Sequence, residues 1–204
     1  MAAPETTRER IKAIARDIYV LRGFDGFNFG EIAEAVPTTR ANIHHHFGSK
    51  RALVDEIIAD FAADAAARIE AVWGGPSLLQ ALELQCADLR RFYRRCNPNQ
   101  GDRNSWSPLG RLRLDIARLG PAARQALERT DRLYDATLSA AVRRAVAAGE
   151  LRAETPVDDV VRLLRVAIQS SAPMTQDTGS FDALDALFGA LERTLIAAWG
   201  RRDA

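Results

Sequence analysis

The chain has 204 residues, 47% hydrophobic and 27% charged, a balance that suits a globular protein and excludes a disordered one. At this length roughly 70% of the unfolded surface can be buried, so neither disulfide nor metal is needed to fold it, and the formal net charge of +1 names neither nucleic acid nor membrane as a partner. No uncharged apolar run approaches the roughly 20 residues that span a bilayer, Met1–Glu5 carries no export signal, and Cys86 and Cys96, about 15 Å apart if they share a helix, read as reduced thiols of a cytoplasmic protein.

The apolar period is helical almost throughout. Ile11, Ile14, Ala15 and Ile18 follow the i, i+3, i+4, i+7 rule, and Gly23 stops this first helix. Phe29, Ile32, Ala33 and Val36 repeat the pattern in a second helix, with Asn28 as N-cap and Glu31 completing a near capping box. That helix must end by Val36, because Pro37 pushes the residue before it out of the α region. Thr39 then caps a third helix, Arg40 to His46. A fourth runs from about Lys50 to Trp73 on the stripe Leu53, Ile57, Phe61, Ala65 and Ile69, and Gly74-Gly75-Pro76 breaks it. Ser77 caps the next, which reaches about Cys96. Pro121 suits the first turn of a helix closed by Gly149. Thr155-Pro156 opens another, with Asp158 and Asp159 placed to suit its dipole. Ser180 opens the last, which runs to about Trp199. There is no convincing strand, repeat or low-complexity tract. The fold class is all-α, with about nine helices.

The first fifty residues differ in kind. Three short helices, each marginal alone, must bury their apolar faces on one another. Residues 1–50 are therefore expected to form one compact unit and residues 51–204 a larger helical domain, with helix 4 as a stiff connection. The second and third helices, joined by a three- or four-residue turn, have the helix-turn-helix arrangement that places its second helix in the DNA major groove. Residues 1–60 hold eight Lys/Arg and nine Asp/Glu, so the unit as a whole is not basic. Thr38–Arg51, however, contains Arg40, Lys50, Arg51 and three histidines with no acid, and phosphate binding needs a local positive surface. Arg40 could pair bidentately with guanine and Asn42 with adenine.

The stretch from Ile32 to Leu53, with His46-Phe47 and Lys50 at matching spacing and Gly23-Phe24-Asp25-Gly26-Phe27-Asn28 upstream, resembles the signature of the tetracycline-repressor-like (TetR) family. It covers about a quarter of the chain. The resemblance implies a homodimeric regulator that binds an operator in double-stranded DNA, usually a repressor released by a small-molecule ligand, with no cofactor and no membrane partner. It further implies that Thr38, Thr39, Arg40, Asn42 and His45 face bases or nearby phosphates. His44 stands where the family usually has a phosphate-binding tyrosine, and Lys50 and Asn28 would meet phosphates. Two residues depart from the family. Pro37 replaces the usual glycine of the turn and cannot adopt φ > 0, and His44 adds a group able to titrate near neutrality. Three adjacent histidines do not make a metal site, because consecutive helical residues point about 100° apart.

The larger part is expected, by the same resemblance, to enclose a pocket between its fifth, sixth, seventh and eighth helices. Candidate lining residues are Phe92, Tyr93, Trp106, Leu109, Tyr134, Thr137, Arg165, Ile168 and Gln169. Arg165 suits an anionic ligand or a structural ion pair equally. Broad apolar surface on the last two helices suggests a dimer interface, with Val160, Leu164, Leu184, Phe188, Leu191 and Leu195 as its candidates. Two other functions remain: a DNA-binding regulator controlled by a protein partner, and a small all-α enzyme. For the enzyme there is no His-Glu-x-x-His, Gly-x-Ser-x-Gly or Gly-rich phosphate loop.

Overall fold

The structure, a computed structural model, describes residues 6–201. Among them it forms nine helices: α1 (Thr7–Arg22), α2 (Phe29–Ala35), α3 (Arg40–Phe47), α4 (Lys50–Trp73), α5 (Leu78–Cys96), α6 (Pro108–Leu114), α7 (Pro121–Ala147), α8 (Val157–Thr178) and α9 (Asp182–Trp199). Beyond helices, an isolated antiparallel bridge joins Leu151 and Gly200. The N-caps follow from side-chain chemistry. Thr6, Asn28, Thr39 and Ser77 each accept a hydrogen bond from the backbone N–H three residues on, satisfying donors that a helix start leaves orphaned. Only α6 has no counterpart in the sequence reading above. Its signal is Ser107-Pro108: the Ser107 hydroxyl accepts from Gly110 N–H at 3.0 Å, and proline occupies the first helical position.

The chain divides into two compact units, and the division falls inside α4 and α7. The first comprises the residues through Ala63 together with Ser107–Glu128. It reaches beyond residue 50 for a physical reason. Ile11, Tyr19, Phe27, Ile32 and Ile43 from the three short helices and their loop share one core with Leu53, Ile57 and Phe61 of α4 and with Leu112 of α6. Leu53 and Ile57 are fully buried, and each such side chain contributes roughly 1.5–3 kcal/mol. Arg111 ties α6 to the end of α1, donating to Val20 O at 3.1 Å and Leu21 O at 3.0 Å. Asp115 accepts the N–H of Phe24 at 2.8 Å. Gly23 sits against that carboxylate with φ +70°, a position that admits no side chain.

The second unit comprises Asp64–Trp106 and the residues from Arg129 onward. Here α9 packs on α8 and α5. The turn between α4 and α5 is clamped from the end of α7. Arg144 donates to the carbonyls of Trp73 (2.5 Å) and Gly75 (3.3 Å). The Glu150 carboxylate accepts from the N–H groups of Leu78 (2.9 Å) and Leu79 (2.8 Å) and from the Ser77 hydroxyl (3.1 Å).

Burial in the single chain sorts the residues of the last two helices. Val160, Leu164, Leu184, Phe188 and Leu195 are buried within the single chain, and Leu191 is half-buried. Val160, Leu164, Leu184, Phe188 and Leu195 pack in the core of their own chain, while Leu191 stays partly open to solvent. The large apolar side chains that α8 and α9 leave exposed are Leu163, Val166 and Ile196, at 46%, 61% and 45% exposure.

Candidate DNA-binding face

The turn between α2 and α3 solves the problem that Pro37 poses. Val36 is extended (φ −112°, ψ 131°) and its N–H closes α2 by donating to Ile32 O. Thr38 N–H then donates to Val36 O at 2.6 Å, the i to i+2 bond of a γ-turn around Pro37. No non-glycine residue among those described has positive φ, so the turn reverses the chain without the left-handed residue that glycine would supply.

From this turn α3 is oriented by Ile43 and Phe47, both buried in the first unit's core. Its other face, with Arg40, His44 and His45, is exposed, and Asn42 is half-buried. Thr39 caps the helix through Asn42 N–H at 3.1 Å, and the Asn42 side-chain amide donates to the Thr38 hydroxyl at 2.8 Å. That leaves Asn42 its carbonyl and one N–H for an external partner.

His44 packs edge-on against Phe29, ring centroids 4.7 Å apart, with Nδ1 3.1 Å from Gly48 O. A carbonyl only accepts, so Nδ1 carries the proton. Nε2 is then an acceptor in the neutral ring and a donor only in the charged one. His45 and His46 lie ring to ring at 5.8 Å. Lys50, the first residue of α4, holds its ammonium 4.5 Å above the Phe24 ring, a cation–π contact that keeps the charge at the surface. Ser49 caps α4 by accepting from Ala52 N–H at 3.1 Å. Arg51 is committed elsewhere, to Asp55 at 3.0 Å and to Arg118 O at 3.2 Å. Asn28 caps α2 by accepting from Glu31 N–H at 3.0 Å. Glu31 does not close the reciprocal half of a capping box; its carboxylate pairs with Arg22.

The candidate pocket residues do not all gather. Leu109 belongs to the first unit and packs against its core. In the second unit, Tyr93 meets Trp106 edge-on at 6.3 Å and Phe181 at 5.5 Å, and the Trp106 indole N–H donates to the Thr175 hydroxyl at 2.7 Å. Phe92 lies under the Arg68 guanidinium at 4.4 Å. Arg165 pairs with Asp131 (2.6 Å) and Asp135 (3.0 Å) and covers the Tyr134 ring at 4.9 Å, the structural alternative noted for it. Thr137 and Ile168 are half-buried, and Gln169 is exposed. The sequence did not single out Asp131, Asp135 or Thr175. The carboxylates lie one helical turn apart on α7, a spacing that could have marked them as one partner site for a cation.

A sequence model of the family described as bacterial regulatory proteins, tetR family, matches residues 11–57, the span from the start of the α1 core through α2, the turn, α3 and the first turns of α4. Over those residues the N-terminal unit is similar to the TetR family. The fold extends this likeness along the chain. A TetR transcriptional regulator from Chloroflexus aurantiacus superposes with a TM-score of 0.78 at 20% identity, covering 97% of each chain. A TetR-family transcriptional regulator from Agrobacterium tumefaciens gives 0.76 at 19%, covering 97% of this chain and all of that one. One from Legionella pneumophila gives 0.75 at 19%, covering 95% and 100%. Identities this low establish a shared TetR fold and nothing finer. None of the curated proteins compared with the chain matches it. Among the described residues, no helix is long and apolar enough to cross a membrane.

Proposed function

We propose that this protein is a DNA-binding transcriptional regulator that acts as a homodimeric repressor and is released from a two-fold symmetric operator by a small molecule. The observation that carries the reading is the face of α3. Within the residues similar to the TetR family, Arg40, Asn42, His44 and His45 lie on the side of the helix away from Ile43 and Phe47, and Lys50 follows at the start of α4. The N-terminal residues of such a helix meet base edges, while Lys50, Asn28, Thr38 and Thr39 suit phosphates. Dimerisation through α8 and α9 would use Leu163, Val166 and Ile196, which the single chain leaves about half exposed. A ligand that favours a conformer with a different spacing of the two α3 helices lowers DNA affinity by linkage. Since α4 and α7 supply residues to both units, they are the elements through which that linkage would act.

Control by a protein partner is the second reading. It is favoured by the candidate pocket side chains that already have partners, Trp106 on Thr175 and Arg165 on Asp131 and Asp135. The test is a mobility shift of the full chain on DNA flanking its own gene, with the mass of the complex measured. A selective complex of two chains per duplex supports the proposal; a bound monomer removes its dimeric part. Screening small molecules for release of that complex then separates ligand control from partner control.

A further inference from the structure

Gly30 is the second residue of α2, and it is buried in the first turn of that helix. Glycine weakens a helix interior relative to alanine, and α2 has only seven residues. The backbone does not ask for it, because Gly30 is absent from the glycines with positive φ. What a side chain at this position would displace is the flexible ends of Arg40 and Asn28. A Cβ on Gly30 would lie 2.5 Å from an Arg40 guanidinium nitrogen, 3.1 Å from the central guanidinium carbon and 2.9 Å from Asn28 Oδ1. The long side chain of Arg40 therefore folds back from the first position of α3 and rests on the bare Cα of α2. This is the same Arg40 whose guanidinium suits the N7 and O6 acceptors of guanine. A guanidinium free in solvent samples many rotamers; one seated on a neighbouring helix loses less freedom when it binds.

We propose that Gly30 is a specificity-determining positioning residue: by presenting no side chain, it seats Arg40 in the orientation that reads a G·C pair in each half-site. The inference rests on the DNA-binding reading above. The seat also explains how two short helices act as one reading surface, since the orientation of a residue on α3 is set by a residue on α2. Gly30 itself need touch no base.

The experiment uses the full chain as wild type, Gly30→Ala, Gly30→Ser, Arg40→Ala and the double variant Gly30→Ala/Arg40→Ala. Each is put through selection from a pool of randomised duplex DNA, and its affinity for unselected duplex is measured. The proposal expects wild type to select guanine at one position per half-site. Gly30→Ala, Gly30→Ser and Arg40→Ala should each lose that preference by about tenfold or more. The double variant should lose no more than either single one, and affinity of the Gly30 variants for unselected duplex should stay within about twofold of wild type. Thermal unfolding gives a readout independent of DNA. Any destabilisation by Gly30→Ala should shrink in the Arg40→Ala background, where the clash is gone. If Gly30→Ala and Gly30→Ser keep the guanine preference while Arg40→Ala loses it, Gly30 positions nothing and the proposal falls. It also falls if Arg40→Ala keeps that preference. Failure of wild type to bind any duplex would overturn the DNA-binding reading itself, a result distinct from either of these.

Discussion

The side-chain amide of Asn42 donates a 2.8 Å hydrogen bond to the hydroxyl of Thr38, across the start of α3. Thr38 lies in the turn and Asn42 in the first turn of α3, so the bond ties together two of the residues proposed to meet DNA. Replacing Thr38 by valine keeps the shape and removes the acceptor. Asn42 then has no preferred orientation, and adenine reading, which needs both ends of the amide, should weaken. A neutral hydrogen bond is worth roughly 0.5–1.5 kcal/mol net, so Thr38→Val should lower affinity for a selected site by about 2- to 10-fold. Affinity for unselected duplex should change little. Equal losses on both DNAs would show that Thr38 contacts phosphate and does not orient Asn42.

His44 supplies a pH test with a definite sign. Its Nδ1 faces Gly48 O, so only Nε2 is free to meet DNA, and it donates to a phosphate only when the ring is charged. The charged ring donates where the neutral ring only accepts, so binding to DNA at constant salt should strengthen as pH is lowered. The double variant His44→Ala/His45→Ala should lose most of that dependence. An unchanged pH profile in the double variant would remove both histidines from the interface.

Exposure separates the two faces of the last helices. Val166→Glu and Ile196→Glu place charge where the single chain has solvent, so each should yield folded monomers by sedimentation, with the helical circular dichroism of wild type. Val160→Glu puts charge into a fully buried position and should unfold the chain, because an unpaired buried charge is strongly disfavoured. Dimers that persist in both Val166→Glu and Ile196→Glu would place any self-association elsewhere.

Cys86 should be a slow nucleophile. Burial first, then its hydrogen bond to Asp185 at 3.4 Å, pushes the thiol up to about 11 from 9.0. The thiolate is the reactive form, so at pH 8 alkylation of Cys86 should run about 100-fold slower than that of an unshifted thiol. Peptide-level mass spectrometry reads this directly, and Asp185→Asn should raise the rate. The raised value also has a stability consequence. The folded state favours the protonated thiol, so the contribution is complete below pH 9 and is lost as pH rises through about 11. Alkylation at the ordinary rate in folded protein would contradict the burial of this thiol.

The sequence carried most of the fold because helix ends are written in local chemistry. Asn28, Thr39 and Ser77 cap the helices they were expected to cap, and Val36 ends α2 because Pro37 follows it. Three things were not legible. The helix α6 is one short element after the loop-like stretch Asn97–Gly101, and its Ser107-Pro108 start is easy to pass over. The extent of the first unit depends on Leu53, Ile57 and Leu112 packing with distant residues, which periodicity along one helix cannot report. The apolar stripe of α9 shows that Leu184, Phe188 and Leu195 face something, while only the structure shows that it is their own core. Of the candidate site, side-chain types and helix positions were readable. The seat of Arg40 on Gly30 and the support of His44 by Phe29 were not, because both join residues of different helices.

If α3 reads DNA sequence through Arg40, site-selective binding should depend on that side chain. The most direct test is the affinity of the full chain for DNA flanking its own gene, measured at about 50 and 200 mM salt beside Arg40→Ala. Binding should be tight at low salt and weaken steeply, by several powers of ten if six or more phosphates are neutralised. Arg40→Ala should lose affinity for the selected site while keeping the salt slope nearly intact. Binding of equal strength to every duplex, with Arg40→Ala indistinguishable from wild type, would contradict that role of Arg40.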